Sequence, residues 1–210
     1  MKIGILGTGT LATALGTVWA KTGHDLAIAG RSPAKAAALA AQIGSRAEAM
    51  SPREAVAGRD AVLIAVLWTG VEEILDSAGA AKGSLNRTPL IDPSNAVEHG
   101  VGVLLTEPGR SAAQRIAELA PGAHVVKAFH LFAAGQWLTP TDGTPATVAI
   151  CGDDPAALST VSALVRDVGA TPAVLGPLAR ARQLEEVAGF VIGLAFSGFD
   201  PRNAVPHAPA

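Results

Sequence analysis

Residues 4–35 read GILGTGTLATALGTVWAKTGHDLAIAGRSPAK, and the glycine spacing inside them decides the fold. Gly7, Gly9 and Ala12 form G-x-G-x-x-A directly after a short apolar strand and directly before a helix-forming run. Gly7 allows the tight turn, Gly9 leaves room for a diphosphate to approach the backbone, and small Ala12 lets helix and strand pack closely. Phosphates at such a turn sit on the helix N-terminus, where unpaired N–H groups and the positive dipole end favour anions. A second strand, Asp25 to Ala29, follows at about the distance a dinucleotide fold requires, so the turn is read as a dinucleotide site.

The end of that second strand carries a specificity signal. An acid there would accept both ribose hydroxyls of NAD and repel a 2′-phosphate. This chain has Gly30-Arg31-Ser32 instead, with Lys35 one helical turn on. Arg31 can pair with a phosphate through two parallel N–H donors, Ser32 can donate its hydroxyl, and Lys35 adds charge, so NADP is the expected cofactor. The competing view makes Arg31 and Lys35 solvated charges at a helix start.

Outward from this stretch, short apolar strands alternate with Ala-rich helices. Strands are expected at Lys2 to Leu6, Asp25 to Ala29, Ala61 to Leu67, Pro89 to Asp92 and His124 to Ala128, with a weaker one at Arg46 to Met50. Helices fill the gaps at Leu11 to Thr22, Pro33 to Ile43, Pro52 to Ala57, Val71 to Ala80 and Ser111 to Leu119. Continuously apolar strands alternating with helices predict a parallel sheet covered on both faces. The expectation is therefore an α/β, Rossmann-type, doubly wound and mainly parallel sheet over residues 1–130. A small C-terminal α/β extension over 131–210 completes the second-substrate pocket: strand Ala146 to Cys151, helix Pro155 to Val168, strand Thr171 to Leu175 and a terminal helix from Pro177 to about Phe196. The Pro-rich tail 197–210 is expected to be poorly ordered.

Composition narrows the function classes. At 49% hydrophobic and 16% charged residues, the chain has the profile of a packed globular protein. A formal net charge of −2 with scattered basic residues argues against a nucleic-acid partner. The single cysteine, Cys151, excludes an intramolecular disulfide and suits a reducing compartment. Apolar runs such as DAVLIAVLW are too short to cross a bilayer, and the N-terminal strand is too short and glycine-rich for a signal core, so cytoplasm is the expected location and no membrane partner is expected.

Several stretches taken together resemble the NADPH:coenzyme F420 oxidoreductase family: GILGTGTLATAL, AGRSPAKA, VVKAFH, CGDDPAA and GPLARARQLE, in order, from Met1 to about Ile192. The likeness extends to ferric-reductase domains and other small NADPH reductases. It implies NADP contacts at Thr8, Gly9, Thr10, Leu11, Arg31, Ser32 and Lys35. It also implies that Val66, Leu67 and Trp68 line the nicotinamide, that Pro93, Ser94 and Asn95 close the cleft, and that His130, Leu131, Phe132 and Ala133 form the wall for coenzyme F420. Leu67 stands where relatives often have proline, and His130-Leu131 where many have Asn-Thr; both departures touch the second-substrate pocket.

The resemblance implies hydride exchange between NADPH and the deazaflavin, a reaction of positioning and water exclusion that needs no compulsory nucleophile or base. An alternative is NADPH-dependent reduction of a small imine, enone or carbonyl compound, with His130 as proton donor. A third is a non-catalytic NADP sensor. Of the remaining residues, His24, His99, His124 and His207 show no metal spacing. Asp153 and Asp154 read as a helix cap and Cys151 as core. Trp137 is a candidate pocket aromatic, and Lys127 in its apolar strand is read either as reaching the cleft mouth or a charged partner, or as solvated at an edge. The apolar terminal helix suggests a homodimer.

Overall fold

The computed structural model describes residues 1–139 and 145–205. A chain that alternates strand and helix buries both faces of its sheet, and the result is one eight-stranded sheet in the order β3-β2-β1-β4-β5-β6-β7-β8. Its strands are β1 Lys2–Leu6, β2 Asp25–Ala29, β3 Ala47–Ala49, β4 Ala61–Ile64, β5 Pro89–Asp92, β6 His124–Lys127, β7 Thr147–Gly152 and β8 Thr171–Gly176. The helices are α1 Thr10–Lys21, α2 Pro33–Ile43, α3 Pro52–Val56, α4 Val71–Ser77, α5 Ala112–Leu119, α6 Pro155–Asp167 and α7 Ala181–Phe196. Strands β1 to β6 are parallel, β7 runs antiparallel to β6, and β8 is parallel to β7.

Side chains alternate along each strand, so the central strands β1, β2, β4, β5 and β6 feed two cores. Ile3, Ile5, Leu63, Ile91 and Val126 pack with Leu15 and Trp19 of α1, Leu39 of α2 and Val161 of α6. Val62, Ile64, Leu90 and Val125 pack on the other face with Val56, Ile74, Leu75 and Ile116. Local chemistry starts the helices. Ser32, Ser51, Ser111 and Asp154 each cap the helix they precede, accepting an N–H three residues on. Pro33, Pro52 and Pro155 pre-set the first turn of three of these helices.

The C-terminal extension does not stand apart from the sheet. Strand β7 pairs with β6 at Lys127 and Cys151, so the sheet continues through it. The terminal helix is shorter than its sequence pattern, because Leu178–Arg180 form a tight 3-10 turn before α7 begins. Helix α7 and the loop after β5 meet through bare backbone: a Cβ on Gly102 would lie 2.0 Å from the Gly189 carbonyl oxygen. Val187, Phe190 and Phe196 of α7 are exposed. In the tail, Pro201–Asn203 form a short turn, and the remainder of that predicted disordered segment, 206–210, lies outside the described residues. No helix among the described residues is long and apolar enough to cross a membrane.

Candidate functional site

The strand order reverses between β1 and β4, and a cleft of about 730 Å³ opens there beyond the carboxyl ends of the strands. Ligands of open α/β sheets bind at such a switch point. The glycine turn forms its floor. Gly7 donates its N–H to the Ala29 carbonyl at 2.7 Å and sits at φ +143°, a conformation that favours glycine. A Cβ there would meet the Ala65 carbonyl oxygen at 2.0 Å, so Gly7 brings the ends of β1, β2 and β4 together. Gly9 is the opposite case: a Cβ on it would meet nothing within 4 Å, leaving open space over the start of α1.

That helix start is chemically exposed to whatever fills the space. No side chain caps α1, and no acidic residue lies in its first turn, whereas Ser32, Ser51, Ser111 and Asp154 cap four other helices. Unpaired N–H groups facing a cleft fit a diphosphate. Arg31 reaches from the end of β2 with its side chain 70% exposed, and its only ion-pair partner among the described residues is the equally solvated Glu73, at 3.5 Å. Ser32 accepts the Lys35 N–H at 3.4 Å, which leaves its hydroxyl proton free to donate. These groups fit the 2′-phosphate end of NADP.

The opposite end is apolar. The strand β4 stops at Ile64, short of the expected Leu67, because Ala65 makes the last ladder bond, to Leu6, at 2.7 Å and the chain then turns through Trp68–Gly70. That early exit lays Val66, Leu67, Trp68, Thr69 and Gly70 along the cleft. Leu67 is 83% exposed, unusual for a leucine and consistent with a surface that a planar ligand would cover. Pro93, Ser94 and Asn95 line the facing side. Gly7, Thr8, Gly9, Thr10 and Leu11 complete the lining together with Gly30, Ile64 and Ala65, the last two of which the motif reading had not singled out.

The expected deazaflavin wall lies outside the lining of this cleft. His130, Leu131, Phe132 and Ala133 do not contribute to the cleft lining, and neither does Ala12, which is fully buried against the sheet. Phe132 packs edge-on to Trp137, which also meets Phe129, so Trp137 is a core aromatic. His130 is buried at 6% exposure, and burial, with the charge of Lys127, pushes it down to about 3. Near neutral pH the ring is therefore the neutral imidazole, whose remaining N–H is only a weak acid, a poor match to the expected proton-donor role. Its carbonyl does work instead, accepting Asn95 Nδ2 at 2.6 Å.

This buried imidazole has a stability consequence. Folding holds it below its ordinary value of 6.5, so its contribution is complete above pH 6.5 and is lost as pH falls toward about 3. His130→Leu is expected to reduce the stability lost between pH 7 and pH 5 by about 2 kcal/mol, measured by denaturant unfolding at the two pH values. An unchanged pH slope would show that the ring protonates equally well in the folded state.

Lys127 takes the charged partner the sequence reading had offered, and it reaches neither the cleft mouth nor a solvated edge. It is fully buried between Asp92 and Glu185, at 3.0 Å from each. The remaining singled-out groups have structural partners. Asp153 accepts the Leu178 N–H at 2.8 Å, Asp154 caps α6, Cys151 is buried, and His24 meets Asp167 at 2.8 Å.

A parallel sheet with this switch point, glycine turn and uncapped helix start defines a Rossmann dinucleotide-binding protein. Residues 2–96, just under half of the chain, match the family model described as NADP oxidoreductase, coenzyme F420-dependent. The chain is 33% identical over 187 residues to the metalloreductase STEAP3 of Rattus norvegicus, a match that covers 89% of this chain. It spans 36% of the length of that curated relative. A solved structure from Arthrobacter sp. FB24, provisionally described as an F420-dependent NADP-reductase, superposes with a TM-score of 0.81 at 25% identity, covering 95% of this chain and 96% of that one. A hypothetical protein from Sinorhizobium meliloti follows at a TM-score of 0.74 and 27% identity, covering 85% and 86%.

Proposed function

We propose that the protein binds NADPH across this cleft and exchanges hydride between it and coenzyme F420. The observation that carries the reading is the chemistry of the cleft lining: its titratable side chains among the described residues are Arg31 and Lys35, both at the phosphate end, while Val66, Leu67, Trp68 and Pro93 surround the other end. Reduction of an imine or carbonyl needs a proton delivered at the reacting centre, and the nearest histidine, His130, is buried and neutral. Hydride exchange between two planar rings needs stacking and dryness.

Each part of the chain then has a task. The open helix start above Gly9 receives the diphosphate, Arg31 and Ser32 grip the 2′-phosphate, and the apolar rim excludes water from the rings. When bound, NADPH supplies the hydride, and the acceptor ring, able to delocalise the added charge, takes up its proton from solvent in a separate later step.

The test is a titration of the protein with NADPH and coenzyme F420 together, following both absorbances. Stoichiometric exchange supports the reading; tight NADPH binding without exchange overturns the deazaflavin and turns the search to small imines and carbonyls, then to a sensor. In the same experiment Arg31→Ala is expected to weaken NADPH binding about 10- to 100-fold while leaving NADH within about threefold, since a charge-assisted contact to phosphate is lost. Equal losses for both cofactors would remove Arg31 from the phosphate.

A further inference from the structure

The second half of α7 is made for surroundings that the described residues do not supply. From Val187 to Phe199 the sequence reads VAGFVIGLAFSGF without a charged residue, and three of the chain's five phenylalanines fall in this stretch. A helix that is apolar all round belongs in a core. Here the loop after β5 covers one side, and it lies against the small residues. A Cβ on Gly189 would come within 2.2 Å of the Gly102 carbonyl oxygen, and one on Gly193 within 2.8 Å of the Val101 carbonyl oxygen. That contact uses the glycines and leaves the large side chains outside: Phe190 is half exposed, and Phe196 and Phe199 are 59% and 67% exposed.

The covering loop enlarges this surface instead of sealing it. Val101, Val103 and Leu105 are each more than half exposed, and His99 meets Phe196 edge-on at 4.9 Å, so loop and helix form one continuous face. Together with Val187 and the three phenylalanines they leave on the order of 700 Å² open. The largest apolar patch of a typical monomer is roughly 300–600 Å², and each partner gives about 800 Å² to a standard stable interface. At one end of the face a hollow of about 360 Å³ opens between the loop and α7, lined by Gly102, Val103, Leu104 and Pro108 with Arg182 and Glu186 at its side. Phe196 stands at the other end, about 15 Å from Glu186 along the helix axis.

The charges at the margin decide what kind of partner fits. Arg182 pairs with Glu186 at 2.8 Å at one end, and Arg202 with Asp200 at 2.7 Å at the other. Neither the loop 97–105 nor residues 181–205 hold a lysine. A helix that lies on a lipid surface carries Lys and Arg free on its polar face, and here both arginines are already paired. The sheet edge is a poor alternative for self-association, because edge strand β8 carries Pro172, which has no N–H for a ladder. An apolar face with neutral ends, a hollow at one end and aromatic rings at the other is complementary to itself: turned about a two-fold axis, each copy sets its rings against the hollow of its mate.

We propose that this face binds a second copy of the chain, with the two α7 helices running antiparallel across a two-fold axis. The interface is independent of the cofactor reading, and its test uses no cofactor.

The experiment is sedimentation equilibrium of the full chain at micromolar concentration. The parent is expected at twice the 21.1 kDa chain mass. Phe190→Glu and Phe199→Glu each put an unpaired charge into the apolar contact of both copies and are expected to raise the dimer dissociation constant about 100-fold or more, with circular dichroism confirming the fold. Should Phe190→Glu fail to fold, Phe199→Glu, in the turn beyond the helix, is read alone. Val174→Glu, at an exposed position on edge strand β8, is the control and is expected to stay dimeric. A parent still monomeric at roughly 100 μM overturns the proposal. So does a dimer that survives both phenylalanine changes, or one that Val174→Glu breaks. A parent that is monomeric in solution and floats with vesicles of anionic phospholipid overturns it in favour of a lipid surface.

Discussion

Replacing Gly7 by alanine is expected to abolish NADPH binding and to lower stability by roughly 3 kcal/mol or more. Two independent terms add. The φ of +143° is strained for any residue with a Cβ, and strain of that kind is worth about 1–3 kcal/mol. The new Cβ would also lie 2.0 Å from the Ala65 carbonyl oxygen and 2.4 Å from its carbon, and overpacking adds about 1–3 kcal/mol. Neither atom can yield cheaply, because both are backbone and Ala65 is tied to Leu6 by a 2.7 Å hydrogen bond. Gly9→Ala is the control: with nothing within 4 Å of the added Cβ, stability should change by less than about 1 kcal/mol, while the methyl intrudes where the diphosphate would lie. Denaturant unfolding and an NADPH titration on the two variants check this. A Gly7→Ala protein as stable as its parent would show that β1 and β4 are not held together through this turn.

Lys127→Met is expected to be the most destabilising single change outside the glycine turn, at about 3–5 kcal/mol. Removing the cation leaves Asp92 and Glu185 buried, like-charged and facing the same emptied space, each previously 3.0 Å from Nζ. The cost comes from the uncompensated charges more than from the lost attraction, and that distinction is testable. The triple variant Lys127→Met, Asp92→Asn, Glu185→Gln carries no buried charge at this node and should recover a substantial part of the loss, although the α5 N–H groups lose an ionised acceptor. Urea unfolding of parent, single and triple variants measures it. A triple variant no more stable than the single one would place the cost in packing around the lysine stem.

Much of this architecture was legible in residue order because the signals are local. The predicted bounds of β1, β2, α2 and β5 coincide with the observed ones, since a proline at the helix start, a capping serine and apolar runs act within a few residues. The misreadings have a common origin in the third dimension. Val66 and Leu67 look like the end of a strand, and only the exit of the chain at Ala65 makes them cleft surface. His130 to Ala133 follow a strand at the cleft side of the sheet, yet His130 is buried and Phe132 turns into an aromatic cluster with Phe129 and Trp137. Lys127 was visible as an anomaly in an apolar strand. Its partners were not, since they lie 35 residues back, in Asp92, and far ahead in Glu185 on α7.

Sequence alone therefore determined the alternation of strand and helix, the turn at Gly7 and Gly9, and the basic replacement at Gly30-Arg31-Ser32, because backbone conformation, capping and side-chain charge are set by neighbours in the chain. Tertiary structure alone decided that β7 and β8 extend the same sheet, that His130 is buried and Leu67 exposed, and that Lys127 joins β5, β6 and α7 under the cleft rim. Burial and ion pairing depend on which distant segments come to share a volume, and strand periodicity is the same on both faces of a doubly covered sheet. A pattern of that kind says that a side chain will be inside without saying what it will meet there.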